Sequence, residues 1–165
     1  MSSATERTPA EERLRMTHRV KLRHHLKALE EAERQRQIAD DLLAELDQQV
    51  ERESARLGVE VPRDAFLLDL LELVEVEQDG GWLWLGMTNN RQLPVARTRT
   101  TTQNGGERSV TRLLAEAFGL VDPDWEGVLY PLNGTWDVNP WHREQRAFPE
   151  GKARGNPNRY SWGER

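Results

Sequence analysis

Residues 128–142 read VLYPLNGTWDVNPWH, and together with GWLWLG at 81–86 and RSVTRLLAEAF at 108–118 they decide the fold. The turn Gln78-Asp79-Gly80-Gly81 leads into Trp82-Leu83-Trp84-Leu85, an aromatic run that reads as a strand. A further strand is expected near Pro94 to Thr102, closed by the hairpin signal Asn104-Gly105-Gly106. A helix follows from about Ser109 to Phe118, then a loop through Asp122-Pro123-Asp124. Trp82, Trp84, Trp136 and Trp141 read as core, because each buried indole removes a large apolar area from water. His142 reads as a helix-start histidine bonded to a carbonyl or to Asp137.

Upstream, Val61-Pro62-Arg63-Asp64 forms a linker and helix cap for AFLLDLLELVEVE. Apolar residues there at 66, 67, 70, 71 and 74 recur at helical spacing. From Pro9 to Leu57 the chain holds no internal Gly or Pro and is rich in Glu, Arg, Leu, Ala and Gln, which predicts one long helix. Thr8 and Glu11 supply a capping box, Pro9 the first turn, and Gly58 the stop. Leu22, Leu29, Leu43, Val50 and Leu57 share one heptad position, interrupted by Arg36, with Leu26, Ala39 and Leu46 partly filling the next stripe. That seam suits packing on the chain's own domain, a helical partner, or a homodimeric coiled coil. His24 and His25 are adjacent and face different ways, so they read as solvated surface.

The expected organisation is a disordered start (1–8), a charged helix (9–57), a linker with a short amphipathic helix (58–79), a compact domain (80–146) and a basic flexible tail (147–165) whose Tyr160 and Trp162 could dock on a partner. The fold class is therefore α+β. With no cysteine among 165 residues, disulfides and thiolate zinc sites are excluded. No apolar run approaches the roughly 20 residues that cross a bilayer, and MSSATERTPAEE lacks the apolar core of a secretory signal, so a cytoplasmic protein without membrane contact is expected. The net charge is −5, yet residues 91–165 carry 11 Lys/Arg against 9 Asp/Glu.

In order and spacing, the three quoted segments resemble the cysteine-containing HNH endonuclease families common in phage genomes. Typical members open with Cys-Trp-x-Trp, continue to a Ser-x-His-Arg-x-x-x-Glu-x-Phe-like helix, and end with Val-Asp-His followed by Cys-Val-Asn-Pro-x-His. The resemblance covers roughly residues 81–146. It implies two strands and a helix around one divalent cation, with a histidine that takes a proton from water. Here Gly81 stands for the first Cys and Thr111 for the His before Arg112, while the remaining cysteine positions hold Leu132 and Asp137. The metal-binding Asp position is Leu129 and the general-base position is Tyr130, with His142 at the last ligand. Leucine cannot ligate a cation, and a phenol of pKa about 10 is a poor base at neutral pH.

These vestigial positions imply an inactive HNH-like module, with no metal and no cofactor expected. Arg91, Arg97, Arg99, Arg108 and Arg112, followed by Arg143 and Arg146, are the expected double-stranded DNA contacts, and Lys152, Arg154 and Arg159 extend the basic character into the tail. The alternatives are a structural or protein-interaction factor of phage or mobile-element type, and a nuclease using a displaced set such as Asp137, His142 and Asp122 or Asp124. Self-association or a protein partner is expected through helix 9–57.

Overall fold

The computed structural model describes residues 8–98, 106–149 and Trp162. It is a mixed α and β structure of three helices, six short strands and one 3-10 turn among these residues. Helix α1 spans Pro9–Leu57. Its start is a capping box in which Glu11 Oε2 accepts from the Thr8 amide at 2.9 Å and Thr8 Oγ1 accepts from the Glu11 amide at 3.4 Å. The chain divides into two compact units, one ending at Glu45 and the other beginning at Leu46. The first unit is the exposed part of α1, with Leu14, Leu22, Leu26, Leu29, Leu42 and Leu43 all open to solvent.

The second unit begins inside α1, while the helix itself ends at Leu57, where the Gly58 stop signal places it. Leu57 is buried in the core, and Leu46 and Val50 pack against it. Arg56 donates to the carbonyls of Val74 at 2.6 Å and Leu71 at 2.7 Å, and Ser54 Oγ accepts from the Val61 amide at 3.0 Å. The last turns of the helix thus hold the chain that follows it.

Helix α2, Ala65–Leu71, is capped by Asp64, whose side chain accepts from the Leu67 amide. It ends before Val74, which the helical spacing had included. Val74–Val76 instead forms strand β1, antiparallel to β2, Trp82–Trp84, with Val74 opposite Trp84. Two β-branched residues facing two indoles gain more from a cross-strand pair than from another helical turn. Strand β3, Val95–Arg97, pairs with β4, Glu107–Ser109. Of the expected 94–102 strand, residues 94–98 are described and three of them, Val95–Arg97, form the strand, while most of the Asn104-Gly105-Gly106 turn lies outside the described residues.

Helix α3, Val110–Ala117, follows directly, capped by Ser109 accepting from the Arg112 amide. Strand β5, Gly127–Pro131, pairs with β6, Arg143–Ala147, in register from Gly127 opposite Ala147 to Pro131 opposite Arg143. Between them Pro140–His142 makes a 3-10 turn capped by Asn139, so His142 ends a turn and starts no helix. One core joins α2, α3, β2 and Val138 to the end of α1. Trp82 and Trp84 lie in it, but Trp136 and Trp141 are each 43% exposed, contrary to the core assignment. Trp141 packs from the rim, its ring 5.8 Å from Trp82 and 5.0 Å from Phe118. No helix among the described residues is long and apolar enough to cross a membrane.

Candidate functional site

The closing segment is organised around one carboxylate. Asp137 Oδ1 accepts from the Trp82 amide at 2.9 Å and the Asn139 amide at 3.0 Å. Its Oδ2 accepts from Asn133 at 3.1 Å and lies 2.6 Å from His142 Nδ1, so the imidazole donates from that nitrogen. Asn139 in turn donates to the Gly80 carbonyl at 2.9 Å. A Cβ added at Gly81 would sit 3.5 Å from Asp137 Oδ2, which brings the positions matched to the first and last structural cysteines side by side. Leu132, at the other cysteine position, is exposed.

Burial pulls the Asp137 pKa up, but the hydrogen bonds from Trp82, His142, Asn139 and Asn133 together hold it below the ordinary 3.8. A carboxyl depressed by folding contributes stability that is present above its unfolded pKa, about 3.9, and is lost as pH falls through the folded value. Melting temperature measured from about pH 6 downward should therefore drop on the acid side of about pH 4. Asp137→Asn should lower the neutral plateau and flatten that acid limb. An unchanged acid limb in the variant would assign the loss to other carboxyls.

On β5, the two positions matched to the family's metal ligand and base face opposite ways. Leu129 lines a cavity of about 690 Å³ bordered by Leu93, Arg108, Arg112, Trp125, Arg143 and Phe148 among others. Tyr130 projects from the opposite face, exposed, with the Arg146 guanidinium 3.8 Å from its ring centre. Arg146 is also paired with Glu144 at 2.9 Å. Neither Tyr130 nor His142 lines that cavity. No group of three His, Asp or Glu residues able to hold a metal occurs among the described residues. Asp122 makes a local turn, accepting from the Asp124 amide at 2.8 Å, so the displaced set of Asp137, His142 and Asp122 or Asp124 is not assembled.

Several arginines expected on a DNA-facing surface turn inward. Glu116 is completely buried, and its Oε1 lies 3.0 Å from Arg108 and 2.9 Å from Arg112, whose side chains are 4% and 18% exposed. Trp162 Nε1 donates to the other oxygen at 3.2 Å. Arg112 also donates to the Asp122 carbonyl at 3.4 Å and to the Trp125 carbonyl, and it faces the Trp125 ring at 5.0 Å. That ring lies so close over Gly127 that a Cβ there would collide with it. Arg143 reaches the carbonyls of Asp137 at 2.5 Å and Thr135 at 3.3 Å, and burial pulls its pKa below the usual arginine value against the opposing charge of Asp137.

Arg91 and Arg97 are exposed and have no side-chain partner among the described residues. Arg99, Lys152, Arg154, Arg159 and Tyr160 lie outside those residues. Trp162, expected to dock elsewhere, packs on the chain's own core, 5.9 Å from Phe66. Sequence inspection missed Glu116 as the organising charge. Its signal was the four-residue spacing from Arg112, which places both on one helix face. Comparison with protein-family models, with curated proteins and with solved structures gives no match.

Proposed function

We propose that residues 80–146 form an HNH-like module without nuclease chemistry, and that the protein works as an accessory factor through protein contacts. The observation that carries this proposal is the outer face of β5 and the turn after it. Where the family's general base would stand, that face presents Val128, Tyr130 and Leu132, all exposed. Val128 and Tyr130 share a face as alternate residues of the strand, and Leu132 follows them in the turn, so the three offer an exposed, largely apolar patch. Beside it across the strand pair, Arg146 and Glu144 are paired with each other, so the patch suits a protein partner. The adjacency of Gly81 and Asp137 supports the HNH-like alignment, since cysteines that share a metal must be neighbours in space.

A second reading, duplex DNA binding, rests on the exposed guanidiniums of Arg91 and Arg97. Backbone contacts release counterions, at a slope of roughly 0.9 per phosphate in log affinity against log salt. Titrating labelled duplex against the protein at several salt concentrations should give either no binding or a slope near −2, lost in the Arg91→Ala/Arg97→Ala variant. A slope near −6 would require the inward arginines to reach phosphate and would overturn the protein-contact reading.

A further inference from the structure

The exposed part of α1 is electrically divided. Residues 13–27 hold six Lys/Arg and no Asp/Glu, while residues 28–45 hold six Asp/Glu and two Arg. Arg15, Arg19, Arg23 and Lys27 follow at four-residue spacing, which stacks like charges along one side and is unfavourable in a free helix. None of the six cations has an ion-pair partner among the described residues, and in the acidic half only Glu31 and Glu33 are paired, with Arg34 and Arg36. A solitary exposed helix would gain from interspersed charges, and this one segregates them.

An apolar seam runs beside this charge. Leu22, Leu29 and Leu43 recur at multiples of seven, as do Ala32 and Ala39 on the adjacent position with His18 and His25. The three leucines are exposed. Arg19, Leu26, Glu33 and Asp40 form the flank of the seam, also at sevens. In antiparallel helix pairs equivalent flanks face each other, whereas parallel pairing in register would lay basic half on basic half and acidic half on acidic half.

We infer that this helix pairs with a second copy of the chain, antiparallel, about a two-fold axis between Leu29 and Ala32. That register sets Leu29 against Ala32 and Leu22 against Ala39, large against small, and brings Arg19 beside Asp40 of the other copy. His18 falls opposite Leu43. His25 falls opposite Arg36, whose aliphatic stem covers the seam while its head reaches water. The same patch meets itself on both copies, so the contact closes and leaves no edge for a third. This inference is independent of the HNH-like proposal.

Sedimentation of the full chain at micromolar to about 100 micromolar concentration tests the first element, and the expected species is a dimer that loosens with added salt as the flanking charges are screened. A monomer throughout, a larger assembly, or association strengthened by salt would overturn the inference. Orientation is read by cross-linking, for which the absence of cysteine is convenient. Oxidising a mixture of His18→Cys and Leu43→Cys chains should give the mixed disulfide, with little His18→Cys self-coupling. Predominant self-coupling would mean a parallel pair and would reject the proposal. Arg19→Glu should weaken the dimer several-fold, and adding Asp40→Arg to the same chain should restore it. Tighter association of the first variant, or no recovery in the second, counts against it.

Discussion

Glu116→Ala is expected to remove about 3–5 kcal/mol of stability, the largest loss of any single substitution considered, because it strands two cations at once. The carboxylate is completely buried and faces both Arg108 and Arg112. Without it Arg108, 4% exposed, keeps its desolvation cost and loses its counter-charge. Arg112 retains the carbonyls of Asp122 and Trp125, so most of the penalty falls on Arg108. Domains of this size hold about 5–15 kcal/mol in total, so the variant should be marginal. With a urea dependence of about 2 kcal/mol per molar, the unfolding midpoint should fall by about 2 M. Arg91→Ala and Arg97→Ala are the controls, since exposed, unpaired side chains should shift stability by less than about 0.5 kcal/mol. A midpoint unmoved by Glu116→Ala would mean that the three charges do not organise this part of the core.

The same three residues show where sequence inspection stops. An arginine in a chain reads alike whether it is solvated or paired inside, and Arg112 and Glu116 could be joined only because a helix sets them four apart. Arg108 lies on β4 before that helix, and its route to Glu116 requires the turn of the chain at Ser109. The long helix, the Trp82 strand and the Ser109-capped helix were legible, because each depends on local propensity and capping. The end of α2 was not. Val74 continues the helical spacing, but its partner is Trp84 across a strand pair, a contact decided beyond the window that periodicity samples. The Asp137 and His142 contact was legible in outline, while the carboxylate's bonds to Trp82 and Asn133 needed the assembled turn.

Two truncations should differ sharply. Removing residues 1–45 takes away a unit that the domain's core does not include, and the remainder should melt cooperatively with Trp82 and Trp84 still buried. Removing residues 1–57 also takes Leu57 and the Leu46 and Val50 contacts from the core. It deletes Arg56, which holds the carbonyls of Leu71 and Val74, and leaves both acceptors without that donor. A buried leucine alone is worth about 2–5 kcal/mol, and the unmade hydrogen bonds add about 1–3 kcal/mol each. The shorter fragment should therefore show red-shifted tryptophan fluorescence and no cooperative transition. Equal melting of the two fragments would put the boundary back at Leu57 and contradict the packing described for the end of α1.

The proposed module without nuclease chemistry is the central claim, and supercoiled plasmid incubated with the full chain in Mg²⁺, Mn²⁺ or Zn²⁺ tests it most directly. With Leu129 and Tyr130 in the positions matched to the metal ligand and the base, and no metal-ligand group of three among the described residues, the plasmid should stay supercoiled at every metal concentration. Cleavage by the unmodified protein that disappears in His142→Ala would contradict the account, because it would place a working base in the Asp137 and His142 pair.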